Sequence, residues 1–194
     1  MVNLDKILSM KQEKQIIIGL IGEPGSGKDT VASYLEDRYG AKMIRFSDPL
    51  FDALRNFIND VSREDLQWLS HEVRERFGQD IFTKALKKRM SDEDRVIVFN
   101  GVRFWENEAL VRSFANNTLI YVTADQKLRW ERSVSRMEKS DDNNSFEKFQ
   151  ELEKFETEAI IPQIGAKADF TIRNEQTLEY LLEEIDKIMQ KIMQ

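Results

Sequence analysis

The sequence predicts an α/β fold in which a five-stranded, doubly wound parallel sheet is covered by helices on both faces. Two observations lead to this prediction. Five short apolar segments, rich in β-branched residues, alternate along the chain with stretches of helical periodicity. The first apolar segment also runs directly into a glycine-rich turn that opens a helical pattern.

The predicted elements follow from these patterns in order along the chain. The predicted strands are residues 16–21, 42–46, 95–99, 118–122 and 168–172. The predicted helices are residues 28–38, 49–59, 63–77, 79–90, 104–114, 126–137, 146–161 and 177–193. We expect Ser62 to cap its helix with Asp65 three residues on, and the helix over 146–161 to stop at Pro162. Residues 3–14 are expected to form a short amphipathic helix or a polar leader.

Bulk composition limits the class of protein. A chain of 194 residues, 41% apolar and 33% charged, suits one globular domain. The net charge of −6 argues against a broad nucleic-acid-binding face. With no cysteine there is no disulfide framework, and the single histidine, His71, lies in a charged run and is expected at the surface. No apolar run is long enough for a signal peptide or a membrane span, so we expect a cytoplasmic protein without a membrane partner.

The glycine-rich turn carries the chemistry. Gly22, four residues, Gly27 and Lys28 fit the G-x-x-x-x-G-K core of the Walker A phosphate loop. The glycines allow successive N–H groups to turn toward phosphate oxygens, and Lys28 is placed to bind the β- and γ-phosphates at a helix N-terminus. We therefore expect a nucleoside triphosphate site. Its predicted residues are Gly22, Gly25, Ser26, Gly27, Lys28, Asp29 and Thr30.

The residue after the lysine departs from the usual loop. That position is normally Ser or Thr, whose hydroxyl binds magnesium, but here it is Asp29, followed by Thr30. Either Asp29 holds Mg²⁺ through water or Thr30 supplies the hydroxyl, and the sequence leaves both alternatives open.

Further short sequence motifs in the chain carry a family resemblance. They are residues 26–32, 46–50 (Phe-Ser-Asp-Pro-Leu), 65–86 and 100–108 (Asn-Gly-Val-Arg-Phe-Trp-Glu-Asn-Glu). In these motifs the chain resembles P-loop nucleoside monophosphate kinases, most of all the bacteriophage deoxynucleoside monophosphate kinases. From 129 through 141 to 172–175 it is similar to archaeal adenylate-kinase-related proteins. Dephospho-CoA kinase shares the general plan. The resemblance implies one P-loop kinase domain over 1–194, with a helical acceptor-binding insertion at about 48–92 and a helical lid at about 125–150.

Two residues at strand ends are candidates for the acceptor side. Arg103 follows the third strand, where ligands gather in open α/β sheets, and is expected to clamp the acceptor phosphate. The alternative is a surface arginine paired with Glu106 or Glu108. The resemblance places Asp48 near the acceptor nucleoside or its hydroxyl, while the local pattern is also that of an N-cap before Pro49.

Three arginines lie on one face of the predicted helix over 126–137. Arg129, Arg132 and Arg136 have the spacing i, i+3 and i+7 and resemble the lid arginines of nucleoside monophosphate kinases. The resemblance implies that they close on the triphosphate and exclude water. The alternative is a solvated helix with Glu131 and Glu138 as partners.

The resemblance also draws attention to two asparagines. Many relatives carry Asp at the end of the third strand, where it holds magnesium through water, but this chain has Asn100. We expect Asn100 to lie at the metal site without supplying a charge. Asn174, in the segment 173–175, resembles the stretch that wraps the donor adenine.

The sequence therefore predicts phosphoryl transfer that depends on ATP and Mg²⁺, from the triphosphate to a nucleoside or deoxynucleoside monophosphate. One alternative is dephospho-CoA kinase, whose hydroxyl acceptor would need a carboxylate base such as Asp48. Another is a non-kinase P-loop ATPase or switch protein, although no Asn-Lys-x-Asp guanine motif occurs. The expected partner is a small-molecule nucleotide acceptor, with no nucleic acid, and the chain is expected to be a monomer or homodimer.

Overall fold

The computed structural model describes residues 15–78, 80–136 and 145–194, and within these ranges it confirms the α/β fold. The strands are β1 (Ile16–Ile21), β2 (Lys42–Arg45), β3 (Val96–Asn100), β4 (Asn117–Thr123) and β5 (Phe170–Arg173). The helices are α1 (Lys28–Tyr39), α2 (Asp48–Arg55), α3 (Arg63–Phe77), α4 (Ile81–Lys87), α5 (Trp105–Arg112), α6 (Gln126–Arg136), α7 (Phe146–Leu152), α8 (Glu156–Ala159), α9 (Ile161–Gly165) and α10 (Leu178–Ile192). The prediction for residues 3–14, and the part of the predicted lid (about 125–150) that falls on 137–144, lie outside the described residues.

The strands form one parallel sheet in the order β2-β3-β1-β4-β5. β1 lies in the middle and all six of its residues are buried, as its unbroken apolar run predicts. All carboxyl ends point the same way, so the segments that follow β1, β2, β3 and β4 meet at one edge of the sheet. That edge is where an open α/β sheet binds its ligands.

Each face of the sheet has its own apolar core. On one face, α1 and α10 pack through Val31, Leu35 and Ile185. On the other face, α5 and α9 pack through Leu110 and Ile164. Gly19 makes this second packing possible, because a Cβ there would lie 2.5 Å from the Leu119 side chain. The face that carries α9 also faces the acceptor segments described below.

Two local predictions have opposite outcomes. The Ser62 cap is confirmed: Ser62 Oγ accepts a hydrogen bond from the Asp65 N–H at 3.1 Å, and Asp65 Oδ2 accepts from the Ser62 N–H at 2.9 Å. The single helix over 146–161 is wrong, because the structure has α7, α8 and α9 there. Pro162 lies in the first turn of α9, where its missing N–H leaves no helical hydrogen bond unmade, so it opens a helix instead of ending one.

Two further observations concern the surface. His71 is exposed on α3, as its charged neighbours predict. Within the part of the chain that the structure describes, no helix is both long and apolar enough to cross a membrane.

Candidate functional site

The phosphate loop, residues 22–27, joins β1 to α1 at the carboxyl edge of the sheet. Gly25 and Gly27 have φ angles of +76° and +98°, a region that residues with a side chain rarely adopt. A Cβ at Gly25 would lie 2.2 Å from the Arg129 carbonyl oxygen, and one at Gly27 would lie 2.3 Å from Asn174 Nδ2. The glycines are therefore needed both for the turn and for the close approach of α6 and β5.

A cavity of about 230 Å³ opens above this loop. It is lined by Gly25, Gly27, Lys28, Asp29, Thr30, Arg132 and Ser133. The loop meets the N-terminus of α1 here, so the helix dipole and the ammonium of Lys28, a residue that is only 6% exposed, both favour an anion. The structure thus brings five of the predicted loop residues and one predicted lid arginine to one concave site.

Arg132 differs from Arg129, on the same helix, in its surroundings. Its Nη1 is buried and has no hydrogen-bond partner among the described residues. Burial lowers the pKa of Arg132, and the charge of Glu175 acts in the opposite direction. A desolvated guanidinium that lines an anion-favouring cavity has the geometry required to bind phosphate oxygens.

Arg129, one turn earlier, does not line the cavity. Its guanidinium donates to the carbonyl oxygens of Ala124 (Nε, 3.0 Å) and Pro24 (Nη1, 3.3 Å). It also grips both carboxylate oxygens of Glu153, with Nη2 at 3.2 Å from Oε2 and Nη1 in close contact with Oε1. Arg129 therefore braces the phosphate loop against α6 and α7. The backbone of Arg136 ends α6, and its side chain lies outside the described residues.

The predicted metal-binding residues meet beside the lysine. Asp29 Oδ2 lies 3.3 Å from Lys28 Nζ, and Asp29 Oδ1 accepts a hydrogen bond from Asn100 Nδ2 at 2.9 Å. The amide oxygen of Asn100, Oδ1, is buried without a hydrogen-bond partner among the described residues. Thr30 lines the cavity above the phosphate loop. A carboxylate with neutral oxygens is the donor set that Mg²⁺ prefers, so these residues fit the ion. No group of three or more His, Cys, Asp or Glu side chains suited to a metal occurs among the described residues.

Arg103 lies in the segment that leaves β3. The preceding Gly101 and Val102 donate their N–H groups to the Leu20 carbonyl at 3.1 and 3.0 Å, which fastens this segment beside the start of the phosphate loop. Arg103 Nη1 donates to Glu158 Oε1 at 2.6 Å, and Glu158 is buried. The expected alternative partners, Glu106 and Glu108, are thus replaced by a residue of α8.

Asp48 and Asn174 also have defined places. The N-cap interpretation of Asp48 is wrong, since α2 begins at Asp48 and Ser47 is its N-cap residue. Asp48 Oδ2 instead accepts from the Arg45 N–H at 2.8 Å, which holds the carboxylate at the end of β2. Asn174 is buried and donates Nδ2 to the Ser26 carbonyl at 2.9 Å, so it supports the loop from β5.

One buried carboxylate was not predicted. Glu23, the second residue of the loop, accepts hydrogen bonds from the hydroxyls of Tyr121 and of Thr123, the latter at 3.3 Å. Burial, and then the hydrogen bond to Glu23, raises the pKa of Tyr121 to about 12. The only signal in the sequence was an acid inside a phosphate loop, and its partners on β4 are distant along the chain.

Comparisons with known proteins identify the family of the chain and match its fold. A family model described as an AAA domain (AAA_18) matches residues 18–160. A UPF0200 protein from Sulfurisphaera tokodaii is 30% identical over 177 residues, which cover 91% of this chain and 97% of the relative. Shikimate kinase from Bacteroides thetaiotaomicron superposes with a TM-score of 0.60 at 10% identity, covering 92% of this chain and 99% of that one.

Shikimate kinase from Acinetobacter baumannii in complex with shikimate gives a TM-score of 0.56 at 15% identity, covering 94% of this chain and 97% of that one. Identities this low show the fold alone, which is that of the P-loop kinases. The match of the family model and the identity to the archaeal relative go further. The chain belongs to the AAA_18 family of AAA domains and to the UPF0200 family.

Proposed function

We propose that the protein transfers the γ-phosphoryl group of ATP to a nucleoside or deoxynucleoside monophosphate, with Mg²⁺ as cofactor. One observation carries the proposal: Lys28 and Arg132, from different elements, line the same cavity above the phosphate loop. Phosphoryl transfer needs little more from a protein than positioning and neutralisation of charge, and this cavity offers both.

The donor is held by the loop. Its backbone N–H groups and the N-terminus of α1 cradle the phosphates, and Lys28 neutralises the β- and γ-oxygens. Arg132 approaches from α6 and stabilises charge on the transferring group. Asp29, Thr30 and the Asn100 oxygen would hold Mg²⁺, which supplies further charge neutralisation when it is bound.

The acceptor enters from the side of β2 and β3. A phosphate monoester is already an anion near neutral pH, so its oxygen attacks the γ-phosphorus directly and no general base is needed. The bond from the γ-phosphorus to the bridging oxygen breaks, and ADP leaves. Arg103 orients the acceptor phosphate: its Nη1 donates to Glu158, and a guanidinium carries five N–H donors, enough to bind a second partner as well.

A hydroxyl acceptor is the second candidate, and the position of Asp48 favours it. The carboxylate is fixed at the end of β2 by the Arg45 N–H, at the sheet edge where the acceptor would lie. A hydroxyl must lose its proton during the transfer, and a carboxylate held in this way serves as the base. The shikimate kinases, whose fold the chain shares, are named for a substrate that is not a nucleotide.

The test is ADP production from ATP and Mg²⁺ with single nucleoside monophosphates, deoxynucleoside monophosphates, dephospho-CoA and shikimate. Strong stimulation by one monophosphate, lost in Lys28→Ala and Arg103→Met but kept in Asp48→Asn, supports the first candidate. Stimulation by a hydroxyl acceptor that is lost in Asp48→Asn supports the second. Equal slow hydrolysis with every acceptor contradicts both and favours a P-loop ATPase or switch protein.

A further inference from the structure

Arg74, on α3, lies against two aromatic rings from other segments, a contact that the local sequence does not predict. Its guanidinium carbon lies 4.9 Å from the ring centroid of Phe82 and 5.1 Å from that of Phe104. Phe82 belongs to α4 and is buried, and Phe104 directly precedes α5. One cation therefore joins two helices of the 48–92 insertion to the segment that leaves β3.

That segment adjoins the phosphate loop. Its first residues, Gly101 and Val102, donate hydrogen bonds to the Leu20 carbonyl at 3.1 and 3.0 Å, and Arg103 and Phe104 follow directly. Because Phe104 is both the neighbour of Arg103 in the chain and a ring partner of Arg74, the two arginines border the same end of β3. Arg74 thus lies on the side of the site where the acceptor enters.

The charge of Arg74 has no counter-ion in hydrogen-bond contact within the described ranges 15–78, 80–136 and 145–194. Among the residues that the structure describes, none forms a hydrogen bond or an ion pair with it. Burial lowers the pKa of Arg74, and the charge of Glu106 opposes this at longer range. Arg103, by contrast, is paired with Glu158 at 2.6 Å.

Another arginine of the insertion shows why burial matters. Arg55 also lies over a ring, 5.5 Å from the centroid of Phe51, but it is exposed and water solvates its charge. Arg74 is partly withdrawn from water. A cation in such surroundings is normally paired with a carboxylate or with a bound anionic ligand. Ring contacts compensate only part of the lost solvation.

We propose that Arg74 is an anion-binding residue of the acceptor pocket and takes a phosphate or carboxylate group of the acceptor. The rings of Phe82 and Phe104 hold the guanidinium in place, and its N–H groups offer the paired donors that suit both oxyanions. The assignment deepens the proposed function, on which it rests, because it adds a second acceptor arginine that is not neutralised as Arg103 is.

The test measures anion binding directly, on the full chain. Inorganic phosphate and acetate are titrated while ¹H–¹⁵N spectra follow the arginine Nε–Hε groups, with the phosphate loop filled by ADP and Mg²⁺. A parallel series uses the Lys28→Ala background, so that anion binding at the loop is reduced whether or not ADP binds. Arg74→Lys identifies the Arg74 signal, Arg74→Met removes the charge, and Arg76→Met, exposed on the same helix, is the matched control.

We expect a saturable shift of the Arg74 signal, with affinity lowered about tenfold or more in Arg74→Met and unchanged in Arg76→Met. Tighter binding of phosphate indicates a phosphate monoester as acceptor, and tighter binding of acetate indicates a carboxylic acid. Absence of a saturable shift, or equal binding in Arg74→Met, overturns the proposal and leaves Arg74 as a packing residue. Failure of ADP to bind contradicts the proposed function alone, since the Lys28→Ala series still decides the role of Arg74.

Discussion

The sides of the site that we propose for the donor and for the acceptor, called the donor side and the acceptor side below, are built in different ways. The donor side, which comprises the phosphate loop, α1, α6 and β5, owes its shape to backbone turns and to buried side chains that brace the loop, such as Arg129 and Asn174. The acceptor side, which comprises the ends of β2 and β3 with α2 to α5 and α8, depends on side chains from distant segments. Arg103 there is paired with Glu158, and Arg74 contacts two rings.

The difference shows which part of the site is set before substrate arrives. On the donor side, Gly25 and Gly27 are fixed by positive φ angles and by close contacts with α6 and β5. The phosphate loop therefore takes its shape from contacts within the chain. On the acceptor side, Arg103 already has a carboxylate partner, so an acceptor anion must share that arginine with Glu158. Specificity is accordingly expected to depend on the acceptor side.

The largest expected effect tests the donor side. Lys28→Ala removes the buried ammonium of the cavity and is expected to lower kcat/KM for ATP about 10³-fold. Lys42→Ala, which removes an exposed lysine of β2, is the matched control and is expected to leave the activity unchanged. The measurement is ADP formation with the stimulating acceptor. A decrease of only a fewfold in Lys28→Ala would break the assignment of the loop as the donor site.

The second prediction separates two arginines that share a helix face. Arg129→Met removes one partner of a buried ion pair with Glu153 and is expected to lower the free energy of unfolding by about 3 kcal/mol. Arg132→Met removes a half-buried cation whose Nη1 has no hydrogen-bond partner among the described residues, so we expect little change in unfolding but about tenfold weaker ATP binding. Urea unfolding and ATP titration of both variants provide the comparison. The same loss of stability in both would contradict the different roles given to them.

The sequence predicted the position and the turn of the phosphate loop because the loop is local. Its glycines, its lysine and the helix that follows are consecutive, so one motif contains their geometry. The ties that brace the loop join segments far apart in the chain, as Glu23 does with Tyr121, and no local pattern announces them. The same reason explains why Glu158 was not foreseen as the partner of Arg103.

The misread helix over 146–161 has a local cause. The apolar spacing was helical throughout, but breaks at Glu153 and Ile160 divide it into α7, α8 and α9. The first break allows Glu153 to reach Arg129, and the short α8 carries Glu158 to Arg103. The interruptions of the helix therefore coincide with Glu153 and Glu158, the carboxylates that pair with Arg129 and Arg103.

The third prediction tests the acceptor side. Arg103→Met is expected to raise the KM for a monophosphate acceptor about thirtyfold while ATP binding stays unchanged, since the charge-assisted contact is lost on one side only. Arg112→Met, on α5, is the control. It breaks a partly exposed ion pair between Arg112 and Asp169 and is expected to affect stability alone. Initial rates at varied acceptor concentrations measure the effect. An equal rise in the KM for ATP would show that the two sides are not separable.

The smallest effect concerns Tyr121, which connects the sides: its hydroxyl binds Glu23 of the loop, and its ring packs on Gly165 of α9. Its pKa is raised from 10.0 to about 12, first by burial and then by Glu23, so the folded state favours the protonated phenol. The resulting stabilisation is complete below pH 10 and is lost as the pH rises to 12. After allowance for the partial exposure of the ring, it amounts to about 1–2 kcal/mol.

Tyr121→Phe should therefore remove this part of the alkaline loss of stability, while the contributions of Tyr34 and Tyr39 remain. The pKa values of Tyr34 and Tyr39 are also raised, by burial and by Asp186, and their contribution is common to both proteins. Urea unfolding on either side of pH 11 measures the difference between wild type and variant. Parallel pH profiles would show that the phenol of Tyr121 does not secure Glu23. In that case the loop would be braced by Arg129 and Asn174, without a contribution from the Tyr121 phenol.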